Sequence, residues 1–194
     1  MSAGFLCHDP RMAGERGELW VVERIEHAEL PLWIAVSYAS AEVEELMAVS
    51  FAQRREGLER YAEARGARLQ MPTTGGSSCG SQAKIQLLEY LAGERRCFEL
   101  HYNAVGTDFE QLAWQALGEI PYGETRSYGA QAHSMDRPGA QRAVGRANGK
   151  NPLPIVIPCH RVRAYDGSLG GFSGGLSAKR WLLALESAQG QLCS

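Results

Sequence analysis

The 194-residue sequence has no Cys-x-x-C pair, no long apolar run, no internal repeat and almost no net charge. Each absence narrows the field. Five cysteines, at 7, 79, 97, 159 and 193, are an odd number without the paired spacing of a disulfide framework or a zinc site, so reduced thiols are expected. The longest apolar stretches, LPLWIAV and PLPIVIP, are far too short to cross a bilayer. The first sixteen residues contain Asp9, Arg11, Glu15 and Arg16 and lack the apolar centre of a secretory signal, so a cytoplasmic location and no membrane partner are expected. What is present, 44% hydrophobic and 22% charged residues, suits an ordinary globular chain with one substantial core, or a small domain beside a medium one.

The net charge of -2 conceals an asymmetry. Residues 1–125 hold 11 Lys/Arg against 19 Asp/Glu, whereas residues 126–180 hold nine (Arg126, Arg137, Arg142, Arg146, Lys150, Arg161, Arg163, Lys179, Arg180) against Asp136 and Asp166. One basic block on a weakly acidic chain is the footprint of a polyanion contact.

Residues 17–26 and 30–39, rich in Val, Ile, Trp and Tyr, read as strands. From Ser40 the spacing of Val43, Leu46, Met47 and Phe51 predicts a helix, with a second helical piece over 57–66. The Gly/Ser cluster at 71–82 reads as a loop or linker around Cys79, followed by a helix at 82–93 and a short strand or extended connector at 97–102. Thr107 or Asp108 can cap a helix through residue 120, and Ser127 can cap another at 128–135. Pro138 suits the first position of a third, which carries Arg142 and Arg146 on one face. With the DRPG turn between them, the last two form a helix-turn-helix candidate. A final helix opens at Leu176-Ser177, with an apolar stripe through Leu176, the Lys179 stem, Leu182, Leu183 and Leu185.

The stretch NPLPIVIPCHRV (151–162) is stiff, because Pro154 and Pro158 fix φ and remove two backbone donors. It delivers one thiol, Cys159, next to His160, Arg161 and Arg163. A free thiol is mostly protonated at neutral pH, so a nucleophilic role needs nearby positive charge or a base. Adjacent side chains do not face one another, so His160 has to reach the sulfur through a bridging water or a curled turn. A third group, most simply a carboxylate, has to orient the imidazole.

Three blocks, GTDFEQLAWQALGEIPYGETRSYG, RAVGRANGKNPLPIVIPCHRV and GGFSGGLSAKRWLLALE, closely resemble the O6-alkylguanine-DNA alkyltransferases, over roughly residues 105–187. The N-terminal hundred residues resemble that family only in layout. The resemblance implies an α+β chain: a small N-terminal sheet with helices over 1–103, then a mostly helical domain with the helix-turn-helix over 104–194. It implies direct reversal of damage, in which Cys159 accepts the alkyl group irreversibly, His160 acts as base through a water, Glu186 orients it and Asn151 pins the turn. Tyr128 would serve the departing guanine, and Ser173 would meet its O6 side. Arg142 would fill the gap left by a flipped nucleotide while its helix enters the minor groove of duplex DNA. Phe172, where relatives often have tyrosine, and Pro154 would border the base, and Arg137 and Tyr165 would face DNA. The family's zinc-bearing members have an N-terminal site that Cys7, His8, His27 and His101 do not match in spacing, so neither metal nor cofactor is expected. No dimer interface is legible, and a monomer is expected. A cysteine in the acceptor position argues against the alkyltransferase-like proteins that only sense lesions.

Overall fold

Alternating apolar residues build the first two strands, β1 (Leu19–Ile25) and β2 (Leu32–Tyr38), which pair antiparallel from Trp20↔Ser37 to Ile25↔Leu32 in the computed structural model. The structure describes residues 19–38, 44–71 and 78–190. β3 (Glu44–Phe51) pairs antiparallel with β2, and β4 (Arg68–Gln70) pairs parallel with β1, giving the order β3-β2-β1-β4. Helix α1 (Arg55–Glu63) packs on one face of the sheet, where Trp20, Trp33, Met47, Leu58 and Ala62 form a core. Helix α2 (Ser78–Leu91) packs on the other, where Ile34, Val36, Leu46, Phe51, Leu87 and Tyr90 meet.

The helix expected from Ser40, over 40–55, is in its described part strand β3, then a 3-10 turn (Ala52–Arg54) and the first residue of α1; Val43 lies outside the described residues. The misreading has a definite cause. Val36 pairs with Leu46 and Ala35 with Ala48, which leaves Met47 as an extra residue in a β-bulge. The bulge turns Met47 and Ala48 to the same core, and burial on both faces removes the polar positions that mark a half-buried strand. Spacing alone then imitates a helix. Residues 97–102 are a connector rather than a strand, touching the sheet edge through one bridge between Tyr102 and Leu46. The Gly/Ser stretch holds the start of α2 at Ser78, and residues 72–77 lie outside the described part.

The second half is built on α3 (Asp108–Gly118), α4 (Tyr128–Ser134), α5 (Gln141–Gly149) and α6 (Gly175–Gly190). Thr107 and Glu110 form a reciprocal capping box at α3, and Ser127 Oγ accepts from Ala130 N at α4, so both expected caps are in place. α5 starts later than expected: Pro138 sits in the turn before it, where Asp136 (φ 54°) and Gly139 (φ 88°) reverse the chain. Small residues Ala113, Ala116, Ala132 and Ala147 bring α3, α4 and α5 into close contact. Buried amides lock that arrangement. Gln131 and Asn148 exchange two hydrogen bonds (3.1 and 2.8 Å), and Trp114 Nε1 donates to Ala147 O at 2.9 Å. In α6 the buried stripe is Ala178, Lys179, Leu182 and Glu186, while Leu176 is 49% exposed. A two-stranded parallel ladder of β5 (Arg126–Ser127) and β6 (Val162–Arg163) closes the domain.

The two halves share one core. Ile25, Leu32 and Leu87 cluster with Leu117, Leu153, Cys159 and Leu182. Gly174 is needed at this seam, since a Cβ there would lie 2.7 Å from the Phe51 ring. Among the described residues no helix is long and apolar enough to cross a membrane, and no group of three His, Cys, Asp or Glu could hold a metal. Cys7 and His8 lie outside the described residues.

Candidate active site

The rigid stretch ahead of Cys159 folds into a strained, clamped turn. Ile155 adopts φ 79°, a left-handed conformation that a buried β-branched side chain seldom enters. Asn151 holds it: Oδ1 accepts from Leu153 N at 2.9 Å, and Nδ2 donates to Ile157 O at 2.8 Å. Ile157 N also donates to Leu153 O at 2.8 Å. After Pro158 the chain winds into a short 3-10 turn, Cys159–Arg161. The turn sends consecutive side chains in different directions.

Cys159, 5% exposed, lines a cleft of about 740 Å³ together with Tyr128, Arg142, Phe172 and Ser173. Tyr128, at the start of α4, reaches the cleft beside Gly170 (φ 62°), where a Cβ would come within 3.0 Å of the phenol oxygen. Arg142 stands exposed on α5 at the mouth. Phe172 packs edge-on against Phe51 (5.3 Å) and His160 (6.4 Å). Three other candidates lie elsewhere. Pro154 borders a second cavity of about 460 Å³, Arg137 donates to Asp136 O in the turn before α5, and Tyr165 is 98% exposed on the turn after β6.

His160 is fully buried. Its Nε2 is 2.8 Å from Glu186 Oε1 and 3.3 Å from the Tyr90 hydroxyl, which also donates to Glu186. An ionised carboxylate only accepts, so Nε2 carries the proton and Nδ1 holds the lone pair. Nδ1 has no hydrogen-bond partner among the described residues. Burial works against charge on Glu186, but hydrogen bonds from His160 and Arg161 and the charge of Arg161 outweigh it and hold the carboxyl down at about 2. Arg161 supplies most of the contacts, with Nε at 3.1 Å from both oxygens and Nη2 at 3.0 Å from Oε1. Gly123 N adds another at 3.0 Å. Burial also pushes the His160 pKa down, which keeps the ring neutral and able to take a proton.

The charges around the thiol differ from the expectation that Arg161 and Arg163 flank it. Arg161 is committed to Glu186, and Arg163 Nη2 donates to Gly167 O at 2.6 Å. The cation that acts on the sulfur is Lys179, fully buried on α6. Its Nζ donates to Val162 O (2.6 Å), Leu169 O and Gly171 O (3.5 Å), tying down the glycine-rich wall of the cleft. Burial nevertheless raises the Cys159 pKa to about 11, with the Asn151 hydrogen bond and Lys179 charge pulling the other way. The resting sulfur is a thiol and needs a base.

Tyr90, Lys179 and Arg54 were not assigned to the site from sequence, and Arg161 was read only as a charge beside the thiol. Arg161 and Lys179 stood in the quoted motifs without an assigned partner. Tyr90 lies on α2, far from the thiol in the chain. Arg54, whose Nη1 donates to Ser173 O at 2.9 Å, belongs to the N-terminal half, and no local pattern signals that contact.

Residues 108–188 match the model of the 6-O-methylguanine DNA methyltransferase DNA-binding domain. The methylated-DNA–protein-cysteine methyltransferase of Methanosarcina acetivorans is 48% identical over 107 residues, covering 55% of this chain and 69% of the relative. The chain belongs to this methyltransferase family. The Mycobacterium tuberculosis relative of the same name is 52% identical over 109 residues, and the match spans 66% of its length and 56% of this chain. Folds agree more widely. The crystal structure of M. tuberculosis OGT in complex with DNA superposes with a TM-score of 0.72 at 36% identity, covering 87% of this chain and 94% of that one. The O6-methylguanine-DNA methyltransferase of Pyrococcus kodakaraensis gives 0.63 at 28% identity, covering 86% and 98%. These likenesses extend the methyltransferase layout through the small sheet and helices of the N-terminal half.

A pH profile follows from the charges in the methyltransferase site. With His160 acting as a neutral base, transfer should slow in acid, below the ordinary imidazole value of 6.5. Lys179, lowered by burial to about 8, loses its charge above that pH, so transfer should slow again on the alkaline side. Single-turnover rates should show a plateau between these limbs. A rate climbing about tenfold per pH unit toward the thiol pKa of about 11 would mean that His160 is not the base.

Proposed function

We propose that this protein repairs DNA by direct reversal, moving a methyl or larger alkyl group from O6 of a guanine in duplex DNA to Cys159, once per molecule. The reading is carried by one observation: a cleft-lining thiol stands next in the chain to a buried neutral imidazole whose Nδ1 is unpartnered among the described residues and whose other nitrogen is fixed by a carboxylate. Nδ1 takes the thiol proton through a bridging water, and Glu186 steadies the imidazolium that forms. Sγ attacks the alkyl carbon as its bond to O6 breaks. Burial raises the Tyr128 pKa, so its hydroxyl stays protonated and donates to the departing guanine. Ser173 faces the O6 side, and Phe172 packs on the base without the hydroxyl of a tyrosine.

A guanine stacked inside a duplex cannot reach a cleft of this kind, so the nucleotide is flipped out, at roughly a few kcal/mol. α5 supplies the means, entering the minor groove with Arg142 in the space left behind. Arg137 and Tyr165 stand outside the cleft and meet the flanking DNA. The basic block adds phosphate attraction that does not depend on sequence. In this scheme residues 1–103 form the supporting α+β domain and 104–194 the transfer domain. The protein works as a monomer, in the cytoplasm, with no cofactor.

Titrating a fixed amount of protein with duplex DNA containing O6-methylguanine tests the reading. Lesions should disappear up to one per protein molecule and no further, because a thioether is not reversed by thiol exchange. Continued turnover, or no loss of the lesion, would reject it. For Arg142→Ala we expect repair in duplex DNA to slow by on the order of tenfold or more, while reaction with the free base O6-methylguanine is largely kept. Equal loss on both substrates would remove Arg142 from the flipping step.

A further inference from the structure

The core between α3, α4 and α5 is mostly alanine: Ala113, Ala116, Ala132 and Ala147, with Met135 and Val144. Side chains this short bring helices close, but their ridges are too shallow to fix one helix along another. Polarity supplies what shape does not. Gln131, fully buried on α4, and Asn148, 7% exposed on α5, exchange hydrogen bonds of 3.1 and 2.8 Å. Gln131 Nε2 also donates to Ala113 O of α3 at 2.9 Å. Sliding or turning α5 breaks both amide bonds in a dry core, where no water replaces the lost partners. One turn back along both helices lies a second contact. Tyr128 is three residues before Gln131, Gly145 is three before Asn148, and a Cβ at Gly145 would lie 3.7 Å from the Tyr128 ring. Arg142 stands a further three residues back on α5. The amide pair is thus the rung next to the one that seats α5 on the Tyr128 phenol.

We propose that Gln131 and Asn148 are a positioning pair for repair in duplex DNA: they set α5 against α4 so that Arg142 enters the stack at the depth where the flipped base meets Tyr128. The proposal rests on the alkyl-transfer reading and adds two residues to its flipping step. The pair acts through Arg142 and not on the reacting atoms. It selects one arrangement of the helices instead of adding to stability, because replacing both buried partners by apolar groups of the same shape is close to neutral. A free base needs no helix in the groove, so its reaction does not depend on the pair. Asn148 also borders the cleft, whereas Gln131 does not, so Gln131 carries the test.

Gln131→Met keeps the side-chain length and strands the Asn148 amide, so Tm should fall by roughly 3–8 °C. Gln131→Met/Asn148→Leu removes both amides and should recover most of that loss. Single-turnover repair of O6-methylguanine in duplex DNA should be about tenfold slower in both variants. Reaction of Gln131→Met with the free base should change by less than about twofold. In an Arg142→Ala background, Gln131→Met should slow duplex repair by less than about twofold more, since the step it serves is already lost. Should Gln131→Met not fold, the double variant and its ratio of duplex to free-base rate carry the comparison. Equal loss on both substrates, or losses that multiply across the Gln131 and Arg142 changes, overturns the proposal and leaves the repair reading standing. So does duplex repair that is unchanged in Gln131→Met or that returns with Tm in the double variant. Unaltered protein that leaves O6-methylguanine intact removes both.

Discussion

Cys159→Ser should lose transfer from O6-methylguanine by on the order of 10⁴-fold or more while still binding the duplex. Serine keeps the shape of the site but offers a poor nucleophile. The neighbouring groups are tuned for a thiol: a proton with a pKa of about 11 in this pocket is within reach of an imidazole base, and a buried hydroxyl is not. The cleft, Arg142 and the basic block are untouched, so affinity for DNA should change little. Gel shifts and lesion loss measured on the same preparation separate the two effects. Residual transfer near the original rate would mean that another group accepts the alkyl.

The second large effect is expected at Glu186. Its carboxylate takes hydrogen bonds from Arg161, His160, Tyr90 and Gly123, and it is 1% exposed. Glu186→Gln removes the negative charge and strands a buried guanidinium, a change that costs about 3–5 kcal/mol, or on the order of 10 °C in Tm for a chain of this size. The same substitution releases His160 from its orienting partner, so transfer should fall about a hundredfold. The acid side carries a signature of its own. With its folded pKa held near 2 against an ordinary 4.5, Glu186 contributes stability that is present above 4.5 and lost as pH falls from there toward 2. The variant should therefore show a weaker loss of stability across that window. A Glu186→Gln protein as stable and as fast as its parent would refute the network.

Much of this site could be read in the amino acids, and the exceptions have a common origin. Cys159, His160, Asn151 and Glu186 lie in segments whose motifs are local, and the caps at Thr107 and Ser127 are written within four residues of the helices they start. Strand β3 was read as a helix because a bulge at Met47 broke its alternation. Tyr90 and Arg54 meet the site across 96 and 119 residues of chain, through side chains that the topology alone brings near. Arg161 was legible as a charge near the thiol but not as the partner of Glu186. A 3-10 turn at 159–161 sends the two side chains apart, and nothing in PCHR announces it.

The N-terminal half then has a structural reason to be present. Tyr90 reaches the buried carboxylate, Arg54 and Gln53 hold the carbonyls of Ser173 and Gly174, and Phe51 packs against Phe172. Both the buried imidazole–carboxylate pair and the cleft wall at Ser173 are braced from the sheet side.

The account stands or falls on where the alkyl group ends up. Unaltered protein is reacted with duplex DNA bearing isotopically labelled O6-methylguanine, digested with trypsin and mapped by mass. The label should appear on the peptide spanning residues 151–161, at Cys159, and on no other. Label on the peptide that contains Cys97, or label that stays with the DNA, would contradict it.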